Sequence, residues 1–195
     1  MRYYIGLVPQ EEIAQVYDSA LDGILKEFDL EKLKNGQRRA PHITLKSPYD
    51  AESVLRTRQL VSDFARSERE RFGGSKSYTY VIEGVGMFKE NEQQVLYLKV
   101  TPSPGMLDSD QRLLARLGRD GSIPFSQYDT PNKTLHVTLL RGAELEDKGE
   151  EIFRHMGRFD WSRTPVGKMD KITIFRKEMA GTLVDMSYPL RDLRG

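Results

Sequence analysis

Two short stretches of the chain repeat one chemical pattern, His42-Ile43-Thr44 and His136-Val137-Thr138, each followed by leucine. On an extended strand, residues two apart project to the same face, so each histidine shares a face with its threonine and Lys46 continues the first row. Ile43 and Leu45, like Val137 and Leu139, then point the other way, where apolar side chains pack against helices. An unperturbed imidazole titrates near about 6.5, so around neutrality one ring can accept a proton while a second donates one. Cleaving a phosphodiester needs both acts. The threonine hydroxyls, with Lys46 beside them, can hydrogen-bond the non-bridging oxygens whose charge grows in the transition state. A lone histidine on a strand is more often structural. Two in equivalent places, 94 positions apart (136 − 42) in a chain of 195, point to a duplicated acid–base pair.

Other chemistries find less support. The chain has no cysteine, which excludes disulfides, thiolate metal sites and a cysteine nucleophile. A zinc site usually needs three side-chain ligands, and the third histidine, His155, falls on an amphipathic helix of the second half, where a surface or boundary place is expected. No metal and no cofactor are expected. There is no Gly-x-Ser-x-Gly elbow, P-loop or dinucleotide fingerprint. Gly84-Val85-Gly86 is too short for a phosphate loop and is expected to allow a bulge or close approach at a strand end.

The elements that must hold the two motifs can be read from periodicity. Tyr3 to Val8 reads as a strand, and a helix follows with Ile13, Val16, Tyr17, Ala20, Leu21, Ile24, Leu25 and Phe28 on its inner face. The polar run Lys32 to Arg39 carries an Asn-Gly turn signal and reads as a loop. A short strand from Pro41 to Lys46 should end at Ser47-Pro48-Tyr49-Asp50, before a second helix from about Val54 that Gly73-Gly74 closes. Tyr78 to Ile82 and Gln94 to Val100 suggest an antiparallel hairpin across Lys89 to Glu92. A helix through Met106, Leu113, Leu114 and Leu117 precedes a strand from Thr134 to Leu140. A fourth helix is marked by Leu145, Ile152, Phe153 and Met156. Strands Lys171 to Arg176 and Thr182 to Tyr188, joined by a turn at Ala180-Gly181, close the chain. Strand, helix, His-strand and helix occur in this order twice, and the interval from Tyr3 to His42 nearly equals that from Val95 to His136. The expectation is one domain over residues 1–195, with a repeat of approximately 1–88 and 94–190.

Composition agrees with a globular domain: 38% of residues are hydrophobic and 30% charged, and 30 Lys and Arg against 29 Asp and Glu leave a net charge of +1. No global field recruits long nucleic acid, so any RNA contact must be local. No apolar run approaches the ~18 residues of a membrane span, and Met1 to Pro9 is too short for a secretory core, so the start reads as mature. A cytoplasmic monomer that does not engage membranes is the expectation.

At these residues the chain resembles the two-histidine phosphoesterase superfamily, which includes 2′-5′ RNA ligase-like proteins and cyclic nucleotide phosphodiesterases. Pro41-His42-Ile43-Thr44-Leu45-Lys46 is similar to the first family motif with its preceding proline, and Leu135-His136-Val137-Thr138-Leu139 to the second. Gly86-Met87-Phe88 with Val95 to Val100 resembles the central Gly-x-Phe and strand pairing, and Ile172 to Lys177 with Gly181 and Tyr188 resembles the closing hairpin. Lys177 stands where many members carry serine, and this, with the Lys32 to Arg39 loop, bears on substrate choice. The resemblance implies an α+β fold, bilobal and duplicated with pseudo-two-fold symmetry, in which two antiparallel sheets line a central cleft and helices lie outside. It implies a metal-independent phosphoesterase acting on a nucleotide or RNA end: opening 2′,3′-cyclic phosphates, or cleaving or joining 2′-5′ linkages, with His42 and His136 catalytic and Thr44, Thr138 and Lys46 on phosphate.

A non-catalytic RNA- or nucleotide-binding module of the same fold is the alternative, with Lys32, Lys34, Arg38, Arg39, Lys46 and Arg141 as its basic rim. Phe88, at a loop edge, is a candidate to stack a nucleobase. Tyr97 is expected to be buried in its strand, and nothing fixes the direction of the loop residue Tyr128.

Overall fold

The computed structural model describes residues 1–30, 41–72, 78–90, 93–142, 145, 147–178 and 181–190. The Lys32 to Arg39 loop, Gly73-Gly74, Asn91-Glu92 and the turn residue Ala180 lie outside them. Among the described residues, eight strands form one sheet: β1 (Arg2–Leu7), β2 (Ile43–Asp50), β3 (Tyr78–Glu90), β4 (Gln93–Pro102), β5 (His136–Gly142), β6 (Gly167–Met169), β7 (Lys171–Glu178) and β8 (Gly181–Pro189). Their order is β6-β3-β4-β5-β2-β1-β7-β8, and every neighbouring pair is antiparallel. The two motif strands therefore lie side by side at the centre, with three strands outside each. The expected two sheets are, among the described residues, one continuous sheet. Its two four-stranded halves meet through a single residue pair, Ile43 with Val137.

Among the described residues, four α-helices support the sheet: α1 (Glu11–Glu27), α2 (Leu55–Phe72), α3 (Pro104–Asp120) and α4 (Gly149–Met156). α1 packs on β5, α2 on β7 and β8, and α3 and α4 on β3 and β4. α1 buries Ile13, Tyr17, Ala20, Leu21, Ile24 and Leu25, the face read from its spacing, at about 1.5–3 kcal/mol for each large aliphatic side chain removed from water. α3 starts where Ser103 accepts a hydrogen bond from Met106 N–H and Pro104 needs no donor, and it stops at Gly121, whose φ of 72° suits a left-handed cap. Glu68 of α2 ties three elements together. Its carboxylate accepts from Tyr78 of β3, from Ser109 of α3 at 2.9 Å and from Arg112 of α3 at 2.9 and 2.6 Å. None of these helices is long and apolar enough to cross a membrane, among the described residues.

The expected secondary structure needs four adjustments. β3 runs on past Ile82 through Gly84-Val85-Gly86 to Glu90, so these glycines lie within a strand rather than at its end. β2 runs on through Ser47, Pro48 and Tyr49 to Asp50, pairing with β1 as Tyr3 with Tyr49 and Arg2 with Asp50. Beyond the β5 junction this part of β2 borders a loop, so the missing N–H of Pro48 breaks no ladder. α4 is shorter than its apolar pattern, beginning at Gly149, and Phe153 on it is exposed. β6, too short to show a period, pairs with β3.

Candidate active site

Both motif strands carry the same irregularity. In β2, Ile5 pairs with Lys46 and the next residue, Gly6, with Thr44, so Leu45 is an extra residue. In β5, Leu96 pairs with Leu140 and Tyr97 with Thr138, so Leu139 is the extra residue. A bulge of this kind shifts the alternation of everything beyond it. Up to the bulge, His42 and Thr44, like His136 and Thr138, line a cavity of about 550 Å³. Past it, Ser47 and Arg141 line the same cavity, while Lys46 and Leu140 are each 0% exposed.

Lys46 therefore does not take the place that plain alternation assigns it. It occupies a core position, equivalent to Leu140, and does not line the cavity. A buried ammonium needs a partner, and Lys46 Nζ donates to Asp129 Oδ2 at 2.9 Å and to the carbonyl of Ser47 at 3.1 Å, with the rings of Tyr49 and Phe125 about it at 5.0 and 5.1 Å. Burial lowers the Lys46 pKa, against the partly offsetting pull of Asp129. Burial alone would raise that of Asp129, but hydrogen bonds from Ser126 N–H, Lys46 and Ser47 outweigh it and hold the carboxylate below its usual range.

The pairing of Ile43 with Val137 brings the two motifs together in opposite directions, so His42 is carried toward Thr138 and Thr44 toward His136. Each imidazole rests against two aromatic rings. His42 lies 5.0 Å from Tyr4 and 5.4 Å from Phe175, which stack on one another at 4.6 Å and 11°. His136 lies 5.1 Å from Tyr97 and 5.4 Å from Phe88, which are themselves 5.3 Å apart. Tyr4 and Phe175 are buried, whereas Phe88 and Tyr97 are half-buried and both line the cavity.

His136 Nδ1 is 3.1 Å from the carbonyl of Thr134, which can only accept, so Nδ1 carries the proton and Nε2 is the exchangeable nitrogen of the neutral ring. Burial lowers the His136 pKa, with the Thr134 bond opposing it. The neutral ring is the favoured form in the free protein.

Phe88, expected at a loop edge, lies instead within β3, paired with Val95, and lines the cavity beside His136. Tyr97 differs from its expected burial, and the reason is Gly86: a Cβ there would meet Tyr97 Cζ at 2.1 Å, so the glycine makes room for the ring to lie over β3 beside His136. Gly84 sits at the β3 bulge. His155 is a boundary residue between Phe28 and Phe159, outside the cavity. Among residues the sequence did not assign to the site, Tyr4, Tyr128, Lys133 and Thr134 line the cavity, as does Arg141, read only as part of a rim, and Lys177. Among the described residues, no three His, Asp or Glu side chains group closely enough to hold a metal ion.

The chain matches the family described as the 2′-5′ RNA ligase superfamily over residues 12–178. Among solved structures it is similar to the Thermus thermophilus protein TT0787, with TM-score 0.60 and 17% identity over 98% of each chain. It is similar also to Kluyveromyces marxianus Usb1 with uridine monophosphate, with TM-score 0.55 and 15% identity over 97% of each chain. No curated protein matches the sequence.

Proposed function

The chain belongs to the 2′-5′ RNA ligase superfamily, and from that premise we propose that it is a phosphoesterase of nucleotides or RNA ends, opening 2′,3′-cyclic phosphates or cleaving and joining 2′-5′ linkages. The observation that carries this reading is the convergence of His42, Thr44, His136 and Thr138 on one cavity. The uridine monophosphate held by Usb1 is in keeping with a nucleotide-sized ligand.

In the proposed reaction, neutral His136 takes a proton from water at Nε2 as the water oxygen attacks phosphorus. His42, protonated, gives its proton to the ribose oxygen as the P–O bond breaks. One proton enters the pair and one leaves it, so the enzyme returns after turnover by exchanging a proton between the rings through solvent. Thr44 and Thr138 donate hydroxyl hydrogens to the non-bridging oxygens, where charge accumulates. Nothing in this scheme calls on a metal ion. Phe88 and Tyr97, half-buried beside His136, offer faces to the base. The matching bulges at Leu45 and Leu139 support reading the domain as a repeat of approximately 1–88 and 94–190 about a pseudo-two-fold axis.

The test is turnover of nucleoside 2′,3′-cyclic phosphates and 2′-5′-linked dinucleotides in the presence of EDTA. His42→Ala and His136→Ala should each lower kcat by roughly 10²-fold or more with the fold intact, and Thr44→Ala and Thr138→Ala by about 10-fold. Nucleotide binding without turnover in the wild type would return the chain to a binding module. Activity lost in EDTA and restored by one divalent ion would defeat the metal-free scheme.

A further inference from the structure

The turn of residues 126–129 is held more firmly than a surface loop requires. Asp129 N–H donates to the Ser126 carbonyl at 3.1 Å, closing a four-residue turn with Gln127 and Tyr128 at its corner. The Asp129 carboxylate accepts from Ser126 N–H at 2.8 Å, Ser47 N–H at 2.7 Å, Ser47 Oγ at 2.8 Å and Lys46 Nζ at 2.9 Å. Tyr128 N–H donates to Ser126 Oγ at 3.1 Å, and that hydroxyl lies 2.7 Å from Ser47 Oγ. These bonds run through the backbone and the neighbours of Tyr128. Tyr128 itself is 52% exposed and lines the cavity. An aromatic ring left in water on a fixed backbone contributes little to a core, but it loses little freedom when a planar ligand stacks on it.

The position of the turn matters as much as its rigidity. It is anchored at Ser47 of β2, and with Ile43 opposite Val137 in antiparallel sense, Ser47 lies toward the N-terminal end of β5. Phe88 pairs with Val95 and Val95 with Arg141, which roots its backbone toward the other end of β5, from where the ring reaches back to 5.4 Å from His136. Lys177, which lines the cavity, is in register with Arg2, and Arg2 with Asp50, so its backbone lies toward the Ser47 end. The two histidine motifs lie between these anchors.

We propose that Tyr128 is a second nucleoside platform, so that the site takes a dinucleotide or longer RNA segment with a base on each side of the reacting phosphate. This rests on the phosphoesterase reading, in which Phe88 and Tyr97 hold the other base. Tyr128 binds by its face and is tolerant of base identity. The buried Lys46–Asp129 pair acts as its positioning device.

The experiment compares kcat/KM for a 2′-5′-linked dinucleotide, with a base on each side of phosphorus, and for a nucleoside 2′,3′-cyclic phosphate, with a base on one side only. Tyr128→Ala should lower the ratio of the first to the second by about 10-fold, chiefly through KM, and Tyr128→Phe, which keeps the face, should hold it within about two-fold. A ratio unmoved by Tyr128→Ala, or lowered equally by Tyr128→Phe, overturns the proposal. If the wild type turns over neither substrate, it is the phosphoesterase reading that fails. Equilibrium binding of the dinucleotide to the same three proteins then reads the platform directly: about 10-fold weaker binding to Tyr128→Ala alone supports it, and equal Kd values overturn it.

Discussion

At His136, burial and the hydrogen bond to Thr134 pull the pKa in opposite directions, and burial wins. Because the folded pKa lies below the unfolded value of about 6.5, the ring stays neutral and able to accept a proton through neutrality and into mild acid. The acid limb of kcat/KM should therefore lie below about pH 6.5, read from a profile at constant ionic strength; a limb centred above about 7 would assign the base elsewhere. Across the same window the unfolded chain binds more protons than the folded one, so this group makes the protein less stable as pH falls from about 6.5 toward the folded pKa. The histidine and threonine pairs are legible because a period of two holds locally and the spacing recurs. Lys46 is not, because one bulged leucine reverses the face of everything after it. Tyr97 escapes the sequence for another reason: a strand aromatic reads as core until Gly86 is seen to let it lie at the cavity wall.

Among the elements, helices declare themselves by apolar spacing and caps, and α1 and α3 closely follow their patterns. Bulges carry no such signature, since Leu45 and Leu139 are ordinary strand residues, and the length of β2 depends on β1 rather than on its own sequence. The loop between α3 and β5 depends on a distant pair of residues, Lys46 and Ser47 of β2. With Lys46 and Asp129 side chains both 0% exposed, Lys46→Met leaves the Asp129 carboxylate buried with its serine donors but no countercharge. That change should cost about 3 kcal/mol, measured by urea unfolding, and should weaken dinucleotide use along with it. A loss under about 1 kcal/mol would mean that the serine hydrogen bonds alone suffice to hold the turn.

For the molecule as a whole, periodicity tells which segments are strands but not which edges meet. The last hairpin, β7 with β8, packs beside β1, and the β3–β4 hairpin beside β5, so each half of the sheet mixes residues from distant parts of the chain. The one-pair junction of Ile43 and Val137 has a mechanical meaning. Along the other strand boundaries, opening the sheet breaks several backbone pairs, whereas here it breaks one, so the seam is the line along which the protein should breathe. A phosphate gripped from both motif strands would act as a rivet across that line. Amide hydrogen exchange of β2 and β5 residues next to the seam should slow by about 100-fold when a nucleotide ligand is present at about 100 times its Kd, provided that exchange requires the seam to part. Uniform slowing across all eight strands would indicate global stabilisation instead. With the rivet in place, the substrate is for that interval a structural member of the sheet that acts on it.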